Sequence, residues 1–394
     1  MRIPPVHAML WMKKTPEESR SKLEMSRDIL SRPPAGARVR GRIKAIDLAR
    51  GIAVALMILS HGVNGMMAMD QLPRLGLIPI HLITKFSSSL FIIVFGVALT
   101  IAVLPNVHSE GWPRRRTKMI LNGLVIFFWY KVLTIFEMLY LAEPEQILNT
   151  LLFGAFPSYV EILGFYAIAL LWAPFLVSLW SRTPLWLRLA SPVLLGLFAL
   201  WLSNNFHFWG NSTIQALLVE HEDYYTWGQL TRGPLVLTGL LIGEVIVRYH
   251  AKIRDRLRVS GGLLLAAILL FAALLILAGP DLSSHLEAIA MNEGKHPPGL
   301  LFMLFSVAGA LAILALCLAG GDTLATLLHP LTVIGTDALK AFIFHIFVIF
   351  VIFRYLFGFY HNISYTFALI LTLLLIPATA LWISVTRWID QKRS

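Results

Sequence analysis

Apolar stretches of about twenty residues recur along this chain, more of them than a water-soluble fold can bury. A helix rises about 1.5 Å per residue, so roughly 20 apolar residues are what a hydrocarbon core demands of a spanning segment. Inside that core every backbone amide must be paired within the protein, which leaves helix as the conformation for such stretches. The pattern predicts ten spans, at about 46–69, 82–104, 119–141, 159–181, 188–203, 232–249, 260–279, 299–319, 331–357 and 365–386. Of the 394 residues 57% are hydrophobic and 14% charged, too few charges to coat a soluble protein of this size. The expected fold class is an all-α integral membrane protein, a polytopic bundle of about ten transmembrane helices.

Charge sets the orientation. The formal net charge is +11, but the cations lie between the apolar runs and form no nucleic-acid-binding face, so nucleic acid is not expected as a partner. Arg38 to Lys44, Arg114-Arg115-Arg116 with Lys118, Arg182 with Arg188, Arg248 to Arg258 and Arg387 to Arg393 alternate with loops that hold Glu220, Glu222, Asp223 and Asp281. The positive-inside rule then makes both termini cytoplasmic, and an even number of spans agrees.

Residues 1–44 read as a basic cytosolic extension with a short helix opened by Thr15-Pro16-Glu17-Glu18 and no signal-peptide core. Residues 45–390 read as the transmembrane domain and 391–394 as a cytosolic tail. The loop between Glu143 and Ser158 carries an apolar piece, Ile147 to Phe156, too short to cross. Outer loops at about 204–231 and 280–298 contain His207, Trp209, His221, Glu222 and His296. Their composition reads first as an interfacial aromatic belt, and second as the lining of a polar, carbohydrate-like substrate site. The single cysteine, Cys317, excludes an intrachain disulfide and a cysteine-based metal site.

Ionisable side chains inside apolar spans are costly and normally face a bundle interior or wet cavity. In the first span, Arg50 and His61 are eleven steps apart, which returns a helix to within roughly 20° of its starting direction. Asp47 joins that stripe at i,i+3 from Arg50, placed to pair with it, and His61 lies about 16 Å further along, near mid-membrane. Other intramembrane candidates are Lys85, Lys131, Glu137, Glu161, Glu244, Asp337, Lys340, His345 and Arg354. Lys85 and Arg354 are placed to snorkel towards a surface, and Asp337 with Lys340 to neutralise each other.

Ile46-Asp47-Leu48-Ala49-Arg50-Gly51-Ile52-Ala53, followed by His61 at Arg-x10-His spacing, resembles the opening helix of the acyltransferase-3 family. Ala55-Leu56-Met57-Ile58-Leu59 is also similar to heparan-α-glucosaminide N-acetyltransferase relatives. Phe86-Ser87-Ser88-Ser89 through Phe95-Gly96, Glu161-Ile162-Leu163-Gly164-Phe165-Tyr166, Lys295-His296-Pro297-Pro298 and Ile334-Gly335-Thr336-Asp337 with His345 resemble later landmarks. The resemblance implies ten core helices that take an acyl group from cytosolic acyl-CoA to an extracytoplasmic glycan or glycolipid. It implies that His61 acts in transfer and that Arg50 holds the donor.

The chemistry needs a base for the acceptor proton, and an imidazole suits that task or transient acylation; the residues alone leave both open. Catalytic candidates are thus His61 and Asp47, the latter on the correct face but about four turns from the imidazole. Donor phosphates call for cations at the cytosolic mouth, namely Arg50, Arg42, Arg114 and Arg115. Acceptor-side candidates are Glu161, Tyr166, His296 and His345. Acyl-CoA, most simply acetyl-CoA, is the expected co-substrate, without a metal. Membrane lipids are expected partners, a homo-oligomer is left open, and a bacterial inner membrane is the expected location. Two other readings remain at this point: an ion-coupled transporter with Asp47, His61, Glu137 and Glu244 as relay, and a scaffold for envelope-polymer synthesis.

Overall fold

The computed structural model describes residues 42–68 and 78–393, so the expected N-terminal extension and its short helix lie outside the described residues. Among the described residues, ten helices are long and apolar enough to cross a membrane. They are α1 (Lys44–Met66), α2 (Ile80–Asn106), α3 (Trp112–Met138), α4 (Glu161–Arg182), α5 (Leu185–Asn205), α6 (Gln229–Tyr249), α7 (Ile253–Ala278), α8 (Leu300–Leu327), α10 (Ala338–Leu356) and α11 (Tyr365–Arg393). A short α9 (His329–Thr336) precedes α10. The protein is an all-α, multi-pass integral membrane protein, and each expected span has its helix.

Alternating crossings put the start of α1, the α2–α3 turn and the end of α11 at one end, rich in cations. The loops after α1, α3, α5, α7 and α10 gather at the opposite, far end. Burial separates inner from outer helices: 67% of the spanning window is buried in α1 and α2, against 6% in α5. Exposed apolar side chains such as Leu189, Val193 and Leu197 cover α5, as a lipid-facing helix requires.

The helix α1 stays central despite its polar residues because small residues let neighbours approach it. A methyl group on Gly335 of α9 would lie 1.8 Å from the Asp47 carbonyl oxygen, and one on Gly51 1.8 Å from that of Leu331. Only glycine permits this crossing.

Three details depart from the sequence reading. The expected span at 331–357 is two helices, broken at Asp337 (φ −144°, ψ 66°), whose carboxylate accepts the Lys340 N–H at 3.4 Å and starts α10. Lys85 and Arg354 do not snorkel: they are 4% and 2% exposed, with the Arg354 guanidinium 4.4 Å from the Tyr360 ring centroid and 4.8 Å from that of Phe350. Residues 391–393 continue α11 and form no separate tail. Asp337 and Lys340 do approach each other, at 3.8 Å, with Asp390 3.2 Å from the same ammonium. Pro144–Leu151 is a short helix between α3 and α4 that does not cross.

Candidate active site

At the cation-rich end, α1 and α9 build an arginine pair. A helix leaves its last carbonyls unpaired and carries partial negative charge there. Arg50 Nη1 donates to Gly335 O at 3.1 Å and Arg42 Nη2 to Thr336 O at 3.0 Å, so the end of α9 receives both guanidinium groups. Buried Asp47 sits between them, 3.0 Å from Arg42 Nη2, 3.5 Å from Arg50 Nη1, and paired most closely with Arg42 Nε. Arg42, Asp47, Arg50, Ile101, Pro105 and Asn106 line a cavity of about 390 Å³. Asp47 is therefore committed to the arginines and serves to position them, away from any proton transfer at His61. Arg114 and Arg115, expected beside the donor, are exposed and line neither this cavity nor the one at the far end.

His61 lies on the same face of α1 but only five residues from its far end at Met66, beyond the mid-membrane depth expected. It lines a second cavity of about 410 Å³ together with Lys85, Tyr159, Glu161, Tyr225 and Lys295. The Tyr159 ring stands edge-on to the imidazole, centroids 5.4 Å apart at 86°. Glu137 holds the loop that carries this tyrosine: its carboxylate accepts the Ser158 and Tyr159 N–H groups at 2.6 and 3.1 Å.

The imidazole is oriented from behind by His345, 284 residues away in sequence. His345 is fully buried, and its Nδ1 is 2.7 Å from Ala341 O. A carbonyl only accepts, so that Nδ1 carries the hydrogen, and in the neutral ring Nε2 is left as an acceptor. His61 Nδ1 lies 3.2 Å from that Nε2 and must donate to it. The network thus assigns the His61 proton to Nδ1 and leaves the Nε2 lone pair free. This is the arrangement a general base or a nucleophile needs, with a histidine where a carboxylate more often stands.

The far wall comes from the loops after α5 and α7. Glu220, Arg232 and His296 form a dry triad, with side chains 0%, 1% and 3% exposed. Glu220 accepts from Arg232 Nε at 2.7 Å and Nη2 at 3.2 Å, and from His296 Nδ1 at 2.9 Å. Burial pushes Glu220 up, but Arg232 and the His296 hydrogen bond outweigh it and hold the carboxyl below its usual range. Burial pushes His296 down to about 4. The triad fixes the neighbouring Lys295, whose carbonyl accepts from Arg232 Nη2 at 2.5 Å and whose ammonium meets Tyr225 Oη and lies 3.6 Å from Glu161. Burial, the largest influence, also lowers Lys295. Tyr225, Trp227, Asn292 and Lys295 of these loops line the cavity, whereas His207, Glu222 and Trp209, the last 83% exposed, stand outside it as a belt would.

Among the acceptor-side candidates, Glu161 lines the far cavity, His345 backs His61, and His296 stands behind Lys295. Tyr166 lines neither cavity; its hydroxyl donates to Phe91 O at 2.7 Å in the bundle interior. Sequence reasoning passed over Tyr225, Trp227, Asn292 and Arg232, all of which sit in or beside polar loops. The expected ion relay is not assembled: Glu244 accepts from Trp180 and Arg188, Glu137 from the 158–159 backbone, and Asp47 accepts from Arg42 and pairs with Arg50.

The sequence profile of a family described as an acyltransferase domain, the acyltransferase-3 family, matches residues 43–387. Those residues take in the second cavity, the first apart from Arg42, and every spanning helix apart from the last six residues of α11. No curated protein matches the sequence.

Proposed function

This chain belongs to the acyltransferase-3 family, and from that premise we propose that its two cavities serve the two substrates of one acyl transfer across the membrane. The cation-rich end faces the cytosol by the positive-inside rule. There an acyl-CoA, acetyl-CoA in the simplest case, places its phosphates against Arg50 and Arg42, and its thin acyl-bearing arm runs along α1 towards His61. The far cavity receives a glycan or glycolipid from the extracytoplasmic side of what we take to be a bacterial inner membrane.

In this reading the acceptor hydroxyl or amine gives its proton to His61 Nε2 as its oxygen or nitrogen attacks the thioester carbonyl carbon. The carbon–sulfur bond breaks, the acyl group stays on the acceptor, and the proton passes from His61 to the departing thiolate. A positioned base contributes about 10²–10⁴-fold to such a step. The observation that carries the reading is the His61–His345 contact at 3.2 Å, which leaves a lone pair on a cavity wall opposite the arginine end. The same lone pair attacks the thioester if His61 carries the acyl group transiently.

The test compares envelope glycans from cells with and without the chain by mass spectrometry, alongside His61→Ala. An added acetyl or other acyl mass that depends on His61 is expected. A His61→Ala protein that still moves labelled acyl groups at the wild-type rate rules this mechanism out.

A further inference from the structure

Among the described residues, the far cavity holds more positive charge than its own carboxylates neutralise. Lys85 and Lys295 both line it, against one carboxylate, Glu161, which lies 3.6 Å from Lys295. Lys295 also meets the Tyr225 hydroxyl, so its charge is answered. Lys85 is different. It is 4% exposed, its ammonium donates to Asn292 Oδ1 at 2.7 Å, and among the described residues it forms no ion pair. An ammonium offers three donors and Asn292 takes one. Among the described residues, three more polar atoms on the same wall are buried without a partner, His81 Nε2, Glu161 Oε2 and Trp227 Nε1.

A buried cation held by a neutral amide alone is costly in a membrane protein, and the cost is recovered when a ligand brings the missing counter-charge. Asn292 keeps the Lys85 ammonium in place with donors to spare. Its charge is single, which matches a monoanion better than a doubly charged phosphate ester.

We propose that the acyl acceptor carries a singly charged anionic group, a carboxylate or a phosphodiester, which docks on Lys85 while its reacting hydroxyl or amine faces His61. The proposal rests on the acceptor assignment made above and narrows it to an acidic glycan. His81 and Asn292 lie beside Lys85 and supply neutral polar contacts to the same group. Lys295 and Glu161 stay paired, leaving Lys85 as the group that selects the charge.

Fragmentation mass spectrometry of envelope glycans from cells with and without the chain assigns the acylated sugar. Reduction of carboxyl groups and cleavage of phosphodiesters by hydrofluoric acid, on separate samples, distinguish the two anions. The expected result is an acyl group on a unit that itself bears one of them. An acyl group on a neutral or cationic unit overturns the proposal and leaves acyl transfer standing, whereas no acyl difference at all removes the acceptor assignment with it. Lys85→Met is expected to lower acylation about ten-fold or more, as loss of a charge-assisted hydrogen bond does, with Lys85→Arg retaining most of it. Full acylation by a Lys85→Met protein also overturns the proposal. The identity of the acylated sugar decides the matter even if that variant folds poorly.

Discussion

Replacing His345 isolates the part of the site that rests on one hydrogen bond. In His345→Phe a flat ring, somewhat larger, is kept, but the acceptor that holds the His61 Nδ1 proton disappears. A buried donor left unpaired costs about 1–3 kcal/mol. The imidazole escapes that cost by moving its proton to Nε2 or by rotating, and either change turns the useful lone pair away from the cavity. At about 1.36 kcal/mol per decade, the working tautomer becomes about 5- to 150-fold scarcer. His345→Gln provides the comparison, because its amide oxygen accepts from Nδ1 in place of the lost ring nitrogen. Both variants lose the 2.7 Å bond to Ala341 O, so that loss cancels between them. The assay is the initial rate of labelled acyl transfer by purified protein, with thermal melting in detergent as a check on folding. The glutamine variant should retain most of the rate and the phenylalanine variant should lose about one to two decades. A His345→Phe rate within about two-fold of wild type, or equal losses in both variants, refutes the tautomer argument.

Two further predictions concern stability. Gly335→Ala puts a methyl group 1.8 Å from the Asp47 carbonyl oxygen and should lower stability by at least the roughly 1–3 kcal/mol of overpacking, whereas Gly261→Ala in α7, with nothing within 4 Å, should be neutral or slightly stabilising; equal melting temperatures for the two would refute the close crossing. His296 titrates near 6.5 when unfolded and near 4 when buried, so the unfolded chain takes up its proton first and stability, complete above about pH 6.5, falls as pH drops towards 4, by roughly 3 kcal/mol in full. His296→Gln should flatten that part of the melting-temperature profile, and an unchanged slope would place the titration elsewhere.

The spans and the α1 stripe were legible because each follows from a short-range rule. Length and hydropathy mark a crossing, and a 3.6-residue period puts Asp47, Arg50 and His61 on one face. The break between α9 and α10 was hidden because Gly335-Thr336-Asp337 interrupts the backbone but not the hydropathy of 331–357. Its signal was present in turn chemistry, an aspartate opening a helix after glycine, and was outweighed by the apolar run. Arg114 and Arg115 illustrate the converse error: cations at a helix start look alike whether they orient the chain or bind a ligand.

Long-range contacts were the remaining gap, and they decide the chemistry. The His61–His345 bond joins residues 284 apart, and its existence depends on the register of α10 against α1, which no local pattern specifies. The widened turns of Phe347–Leu356 begin just after His345 and change the facing of every residue beyond it, so a regular helix drawn through the span would misplace Arg354. The polar residues of α1 survive burial through different partners at its two ends. Asp47 and the closing carbonyls of α9 answer the Arg50 charge, and a neutral ring answers His61. Held on one rigid helix, Arg50 and His61 keep a separation along the axis of about 16 Å, so the distance between the guanidinium end and the imidazole is fixed by α1 itself.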